Sequence, residues 1–206
     1  MKLDHVVYAV ADLDQAAERF RDGFGLEAVP GGRHVGWGTG NRIVPLGDQY
    51  VELISVVSPD EARASSFGRR VLEATATGDA PFAVCASTDA LDALAARLGA
   101  EVTTGMRECS DRTVLRWRSV ALEDPRREPW MPFFITWEVP PELHPGRMPA
   151  RRRTGASGIS RVEVAGDPER MQAWLGGDRL PFSFVDGAPG IVSFVIATSE
   201  EEISLR

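Results

Sequence analysis

Residues 3–10 read LDHVVYAV, and this stretch decides the fold because a helix follows it at once and both recur later in the chain. The run is rich in β-branched and aromatic residues, which predicts a strand. Alternation places His5 and Val7 on one face of that strand and Val6 and Tyr8 on the other. Apolar residues then fall at positions 13, 16, 17 and 20, the spacing of one helix face, so residues 13–20 are predicted to be helical.

The same strand-then-helix start occurs three times, near residues 3, 81 and 159. The spacing is 78 residues each time, which is the size of a fold unit rather than of a solenoid repeat. In the second unit, residues 114–122 and 132–138 are also predicted to be strands. Residues 140–158 are rich in Pro, Gly and Arg and have no periodicity, which indicates a linker or a crossing loop.

Composition and charge narrow the class of protein. The chain has 206 residues, of which 43% are hydrophobic and 26% charged, as in soluble globular proteins. Its net charge of −7 argues against nucleic acid as a partner. No apolar run of about 18 residues could span a membrane, and the N-terminus lacks the apolar run of a signal peptide, so we expect a cytoplasmic protein. The two cysteines, Cys85 and Cys109, lack CxxC spacing and are expected to be reduced.

A charged residue interrupts the next strongly predicted strand, residues 50–57. Glu52 lies inside that apolar run, on the same face as Tyr50 and Ile54. A carboxylate inside a buried strand is costly unless it is paired, hydrogen-bonded or bound to a metal. Glu52 is therefore a candidate functional residue. Nothing in the sequence matches a P-loop, a dinucleotide fingerprint, a G-x-S-x-G elbow or an HExxH helix, so those chemistries have no support.

Seven short motifs follow one another along the chain. They are Gly31-Gly32-x-His34, Gly38-Thr39-x-Asn41, Leu46-Gly47, Tyr50-x-Glu52-Leu53, Leu115-Arg116-Trp117, Pro132-Phe133-Phe134-Ile135-x-Trp137 and His144-Pro145-Gly146-Arg147. In this order they resemble the family called glyoxalase-like domain, within the vicinal-oxygen-chelate superfamily. The resemblance covers roughly residues 3–175.

This resemblance implies an α+β fold in which repeated βαβββ units form curved mixed sheets around a cavity. Two such units, at about 1–78 and 79–139, would make up a glyoxalase-like domain of residues 1–139. Residues 140–158 would then be the linker or crossing loop. Residues 159–206 would form a partial third unit packed on the rest.

The resemblance also implies a metal site. A first-strand histidine and a fourth-strand glutamate are ligands in the superfamily, and His5 and Glu52 match these positions. At the 78-residue offset, His5 corresponds to Ala83 and then to Arg161, neither of which binds metal. His144 is therefore the preferred third ligand for a divalent Zn, Mn, Fe or Ni ion. The alternative is that the metal has been lost and the cavity remains, with the His5–Glu52 pair acting as a general base.

The other motif residues are expected near the substrate. His34 joins His5 and Glu52 as a candidate catalytic residue. The expected substrate-binding residues are Asn41, Trp37, Arg116, Trp137 and His144. Aromatic side chains commonly line ligand pockets, and an arginine facing the cavity would favour an anionic substrate.

Two classes of function follow from the resemblance. The first is a lyase, isomerase or dioxygenase that acts on a small organic acid or carbonyl compound through the His/Glu site. The second is a metal-free small-molecule-binding or resistance-type module, like the bleomycin-resistance proteins of the superfamily. Both imply a small-molecule ligand and neither a nucleic acid nor a membrane. Units of this fold meet edge to edge, so a homodimer is a further expectation.

Overall fold

The computed structural model describes residues 1–109 and 113–206. The first unit consists of a strand, a helix and three further strands, followed by two short helices. Their bounds are Lys2–Ala9 (β1), Leu13–Phe24 (α1), Val29–His34 (β2), Thr39–Pro45 (β3), Tyr50–Val56 (β4), Pro59–Ala64 (α2) and Ser66–Thr75 (α3).

The later units repeat this order of elements. The second comprises Ala80–Ser87 (β5), Leu91–Leu98 (α4), Val102–Glu108 (β6), Val114–Val120 (β7) and Phe133–Trp137 (β8). The third comprises Gly158–Ala165 (β9), Pro168–Leu175 (α5), Phe182–Phe184 (β10), Gly190–Ala197 (β11) and Ile203–Leu205 (β12). Strands β10 and β12 have only three residues each, so the third unit is a shortened version of the other two.

The repeated helix starts have the same physical basis. Asp12 caps α1 by accepting the backbone N–H groups of residues 14 and 15, and Asp167 caps α5 in the same way. Each helix ends at a glycine in the left-handed conformation, Gly25 with φ 64° and Gly176 with φ 68°. The recurring pattern of Asp before and Gly after an apolar stripe therefore sets the helix bounds in both units.

The first two units build one eight-stranded mixed sheet in the order β2-β3-β4-β1-β5-β8-β7-β6. Strands β1 and β4 are parallel, as are β5 and β8, and an antiparallel pairing of β1 with β5 joins the two units. The two end strands, β2 and β6, contact each other, so the curved sheet nearly closes on itself. The expected vicinal-oxygen-chelate fold of α+β class is confirmed.

The sheet separates two apolar clusters, and strand alternation decides which residue joins which. Val6 and Tyr8 of β1 belong to the cluster on the outer face, whereas Val7 belongs to the cluster on the inner, concave face. On β4, Leu53 packs in the outer cluster and Ile54 in the inner one. The inner cluster forms one wall of the cavity that contains the candidate site.

The third unit forms a separate four-stranded sheet with a different strand order, β10-β9-β11-β12. In the first two units the opening strand pairs with the fourth strand of its unit, but β9 pairs with β10 and β11 instead. Its apolar side chains join the outer cluster, where the ring of Phe194 lies 5.8 Å from that of Tyr8. The third unit thus packs on the convex side of the large sheet, away from the cavity.

The segment between β8 and β9 crosses the molecule as an ordered loop. It contains two short 3₁₀ helices, Pro141–Leu143 and Pro145–Arg147, and an isolated bridge between Arg152 and Leu26. Gly146 lies against the β3–β4 turn, where a side chain would overlap backbone atoms of that turn, so only glycine fits. In the described part of the chain, no helix is long and apolar enough to cross a membrane.

Candidate functional site

One cavity opens on the concave face of the large sheet, between the first and second units. Its volume is about 60 Å³. Strands β1, β2, β3, β4 and β6 supply its polar residues, and aromatic and aliphatic side chains supply the rest. The lining residues are His5, Val7, His34, Trp37, Asn41, Tyr50, Glu52, Ile54, Phe67, Ala83, Arg107, Trp117, Leu122, Phe133, Ile135 and Trp137.

His5 is fixed in the cavity wall by its sequence neighbour. The register of β1 against β5 shifts between Leu3 and His5, which leaves Asp4 without a partner on β5. Such irregularities re-aim side chains, and here the Asp4 carboxylate reaches the His5 ring, with Oδ1 2.7 Å from Nδ1. The Tyr50 ring stacks on His5 at 4.4 Å. Because Nδ1 donates its proton to Asp4, the Nε2 atom of His5 is directed at the cavity.

The second oxygen of Asp4 holds the crossing loop. Asp4 Oδ2 accepts the indole N–H of Trp137 at 3.1 Å and lies 3.2 Å from Nε2 of His144. The other ring nitrogen of His144 accepts the backbone N–H of Gly146, so Nε2 carries the proton and donates it to Asp4. His144 lines a surface hollow beside Asp48 rather than the cavity. It is connected to His5 through Asp4 and through the ring of Tyr50, which lies 5.7 Å from that of His144.

Asp4 is a fully buried charge held by its donors. Burial acts to raise the pKa of its carboxyl group, but the hydrogen bonds and charges of His144 and His5 outweigh it and hold that pKa well below the ordinary value. Asp4 is thus ionised at neutral pH. Asp4 was not predicted to belong to the site. It is an acidic residue inside a predicted apolar strand, which is the same pattern that made Glu52 a candidate.

Glu52 faces the same cavity from β4, where Val7 is its neighbour across the pairing with β1. Its Oε2 atom lies 3.7 Å from Nε2 of His5, and its Oε1 atom lies 3.7 Å from Nε2 of His34. Both distances exceed a hydrogen bond, so the carboxylate stands between two imidazole rings without being bonded to either. Glu52 Oε1 instead accepts a hydrogen bond from the Asn41 amide.

Asn41 connects the polar groups of the site. Its side-chain oxygen accepts the backbone N–H of Gly32 at 2.8 Å and a guanidinium N–H of Arg107 at 3.0 Å. These two donors fix the amide orientation, so the NH₂ group must point at Glu52 and at Nε2 of His34, 3.4 Å away. Asn41 is a positioning residue that holds a carboxylate on one side and a cation on the other.

The first glycine of the first motif, Gly31, packs directly against this amide. A Cβ atom on Gly31 would overlap the side-chain oxygen of Asn41. We expect Gly31→Ala to displace Asn41 and to lower the free energy of unfolding by about 1–3 kcal/mol. Gly23→Ala is the matched control, because a Cβ there meets open space within a helix and should be neutral or stabilising. Urea denaturation of both variants checks this, and equal stabilities would contradict it.

His34 is buried and neutral. Burial lowers the pKa of its imidazole; the Glu52 carboxylate opposes that shift and the Arg107 charge adds to it. Its Nδ1 atom lies 3.0 Å from the Thr39 hydroxyl and donates to it, since Nε2 accepts from Asn41. His34 therefore presents a fixed tautomer beside Glu52.

The lowered pKa of His34 predicts a pH effect on stability. As the pH falls below about 6.5, the unfolded chain takes up a proton at His34 that the folded chain does not, so folding becomes less favourable. We expect the stability of the wild type to fall between pH 7.5 and pH 5.5 by more than that of His34→Gln. Urea titrations at the two pH values measure the difference. An equal or smaller loss in the wild type would show that His34 titrates as it does in the unfolded chain.

The second unit contributes one cation and an apolar surface to the cavity. Arg107 lies on β6 and its side chain lines the cavity. This strand was not predicted from the sequence, although the β-branched residues that follow residue 101 favour a strand. Ala83, Phe133 and Ile135 present only carbon atoms to the cavity at the face where a symmetrical unit would place polar ligands. The chemistry is therefore concentrated on the first unit.

The structure brings most of the residues expected at the site together, but two lie elsewhere. His5, Glu52 and His34 line the cavity, as do three of the expected substrate-binding residues, Asn41, Trp37 and Trp137. His144 lies behind Asp4. Arg116 is exposed and its guanidinium contacts Met106, because Trp117, next to it on β7, takes the inward position.

The donor atoms fit a divalent metal only in part. His5 Nε2 and Glu52 Oε2 are 3.7 Å apart, close to the spacing of about 3.4 Å between two tetrahedral ligands, but catalytic zinc generally has three protein ligands. In the described residues, one trio has its ligand atoms within 4.8 Å of one another, Asp4, His5 and Cys85. Burial and the nearby Asp4 and Glu52 charges raise the pKa of the Cys85 thiol well above its usual value, and both Asp4 oxygens are engaged. The described residues therefore supply only part of a metal site at His5 and Glu52.

Comparison with known proteins agrees with this fold. The sequence model of the family described as Glyoxalase-like domain matches residues 3–180. No curated protein matches the chain. A hypothetical protein from Staphylococcus aureus has a similar structure, with 18% identity and a TM-score of 0.77 over 97% of this chain and 92% of that one.

Two more distant structures are methylmalonyl-CoA epimerases. That of Mycobacterium tuberculosis is 22% identical, with a TM-score of 0.47 over 69% of this chain and 90% of that one. That of Streptomyces coelicolor, in complex with 2-nitronate-propionyl-CoA, is 20% identical, with a TM-score of 0.46 over 66% and 93%. Because the family match spans most of the sequence, the chain belongs to the glyoxalase-like domain family.

Proposed function

We propose that this protein is an isomerase or lyase that moves a proton at the carbon beside a carbonyl group of a small organic acid or carbonyl compound. One observation carries the proposal. His5 Nε2 and Glu52 Oε2 lie 3.7 Å apart in the wall of the cavity, too far apart to bond to each other. Two proton-accepting groups that leave each other free can act on adjacent atoms of a bound molecule.

The residues around this pair suggest which proton transfer each of the two groups carries out. Asn41 holds one oxygen of Glu52, so the other is free to take the proton from carbon. His5 is oriented by Asp4, whose carboxylate stabilises the positive charge that the imidazole acquires when it is protonated. In this scheme Nε2 of His5 takes up a proton from solvent before the reaction and donates it to the substrate oxygen on which negative charge develops, while Glu52 holds the proton taken from carbon. His34 lies on the far side of Glu52, and its Nε2 accepts from the same Asn41 amide that holds Glu52.

The size and surface of the cavity favour a small substrate. A volume of about 60 Å³ holds about four or five water molecules, so it suits the reacting end of a molecule with few heavy atoms. The walls are aromatic, with Trp37, Trp117 and Trp137 among them. Filling such a cavity expels water, which strengthens the electrostatic interactions inside it.

Exchange of substrate protons with solvent tests the proposal. The wild-type protein is incubated in D₂O with a panel of 2-oxo, 2-hydroxy and malonate-type acids, and deuterium at the carbon beside the carbonyl is followed by NMR. We expect exchange with at least one compound, and loss of that exchange in Glu52→Gln but not in the surface control Asp48→Asn. Metal analysis of protein purified without chelator is run in parallel. If no compound exchanges, or Glu52→Gln exchanges as fast as the wild type, the proposal is wrong.

A second function is favoured by the apolar face that the second unit presents to the cavity. Ala83, Phe133 and Ile135 could hold a ligand by contact alone, which suits a binding or resistance-type module. Quenching of tryptophan fluorescence by compounds that show no deuterium exchange would support this function instead of the enzymatic one.

A further inference from the structure

Arg107 is a buried cation whose hydrogen bonds are incomplete. Its side chain lines the cavity and the residue is 5% exposed. One terminal nitrogen donates to Asn41 Oδ1 at 3.0 Å. Within the described residues, neither Nε nor the other terminal nitrogen has a hydrogen-bond partner. A guanidinium removed from water normally regains its lost hydration by pairing with an anion, so two free donors at a cavity indicate a missing ligand.

Another buried arginine shows what a purely structural role looks like. Arg127 is 8% exposed, and both of its terminal nitrogens donate to backbone carbonyls, those of Met131 and Leu122, so that among the described residues only its Nε lacks a partner. It braces a loop and does not line the cavity. Arg107 makes one contact, to the side chain of Asn41, and keeps two buried nitrogens without a partner among the described residues, in a side chain that lines the cavity.

The free atoms of Arg107 have the geometry of a carboxylate site. Nε and the terminal nitrogen on its side of the guanidinium carry parallel N–H bonds, and this fork matches the two oxygens of a carboxylate. Asn41 fixes the distance between Arg107 and Glu52, because its amide oxygen accepts from Arg107 while its amide nitrogen donates to Glu52. The cation and the base are therefore separated by the width of one amide group.

We propose that Arg107 binds the carboxylate of the substrate, and that the ligands of this cavity are small acids whose reacting carbon adjoins that carboxylate. The position of the reacting carbon rests on the proposed function, because it takes Glu52 as the base. Carboxylate binding by Arg107 requires only that a ligand enters the cavity. An acid of this kind would fill the small volume with one end on Arg107 and the next carbon beside Glu52.

Binding of matched acids and amides tests this inference. The probes are pyruvate, lactate and oxalate, and each is compared with its neutral amide. Inorganic phosphate serves as the control for binding of any anion. Binding is followed by tryptophan fluorescence and calorimetry. We expect the wild type to bind at least one carboxylate at least tenfold more tightly than its amide and than phosphate. Arg107→Met should lose that preference, whereas Arg118→Met, on the neighbouring strand and ion-paired to Asp92 at the surface, should keep it.

Stability provides a second readout that a merely structural arginine would not give. Without ligand, Arg107→Met should raise the melting temperature, because it removes a buried charge with unpaired donors and leaves Asn41 Oδ1 still bonded to Gly32. A lower melting temperature, with unchanged carboxylate binding, would assign Arg107 to the fold and overturn the proposal. Equal affinity for carboxylate, amide and phosphate, or no carboxylate binding by the wild type, would also overturn it.

The two proposals fail in different ways. Glu52→Gln should abolish deuterium exchange and retain carboxylate binding. If carboxylates bind through Arg107 but no exchange occurs in the wild type, the anion site stands and the enzymatic function falls. If exchange occurs equally on acids and amides and survives Arg107→Met, the enzymatic function stands and the role of Arg107 falls.

Discussion

The Asp4→Ala variant should lose about 3–5 kcal/mol of unfolding free energy, the largest stability effect that we expect in this chain. The carboxylate is 2% exposed and accepts from three side chains, those of His5, His144 and Trp137. Removing it leaves three N–H groups of buried or half-buried side chains without this acceptor, and each then bears a desolvation penalty. Urea denaturation at pH 7 measures the loss.

Asp48→Ala is the control for this experiment. Asp48 pairs with Arg147 on the surface of the same crossing loop, and loss of an exposed pair costs at most about 1 kcal/mol. Because the folded-state pKa of Asp4 lies below its ordinary value, its stabilising effect is present at neutral pH. The difference between wild type and Asp4→Ala should shrink as the pH falls below about 3.9. Equal losses in the two variants would mean that Asp4 is replaceable.

Glu52→Gln should slow proton exchange on any substrate by about 10²–10⁴-fold, the usual contribution of a general base. Glutamine keeps the shape of the side chain and an oxygen that can accept from Asn41, so the fold and the cavity should persist. The rate is measured as deuterium incorporation per unit time at saturating substrate. An unchanged affinity for the substrate would show that the loss belongs to the chemical step.

His5→Gln separates the roles of the two groups at the site. It removes the proton donor to oxygen but leaves Glu52 and its support by Asn41 in place. We expect a smaller loss of exchange than in Glu52→Gln, with a changed dependence of the rate on pH. A larger loss in His5→Gln would assign the base at carbon to His5 instead.

Strand alternation accounts for what could be predicted from the sequence. The period of two in β1 puts Val7 on the inner face and Val6 on the outer one, and it groups Glu52 with Tyr50 and Ile54. Both results need only local geometry, which the sequence contains. The repeated strand-and-helix starts revealed the units for the same reason.

What the sequence did not reveal depends on contacts between distant segments. Asp4 reaches His5 because the pairing of β1 with β5 is irregular at that point, and no local pattern marks such a shift. His144 and Arg116 were expected at the substrate because of the motifs they belong to. One is taken up by Asp4, and the other is turned outward by the inward position of Trp117.

The third unit shows a further limit. Its opening strand and helix repeat those of the first unit, but its sheet is ordered differently, with β9 between β10 and β11. Strand order depends on which edges meet, and residues that alternate in the same way can satisfy several orders. Similar starts therefore predict similar elements rather than similar sheets.

The hydrogen bond from Arg107 to Asn41 spans the near-closure of the large sheet, from β6 in the second unit to β3 in the first. Two halves with the same architecture thereby differ in the side chains that they give to the cavity: the first supplies His5, Glu52 and Asn41, and the second supplies Arg107 and apolar side chains. Neither half could be replaced by a copy of the other without changing the residues that line the cavity. The first two units keep the same order of strands and helices, but their side chains differ as those of two different subunits do.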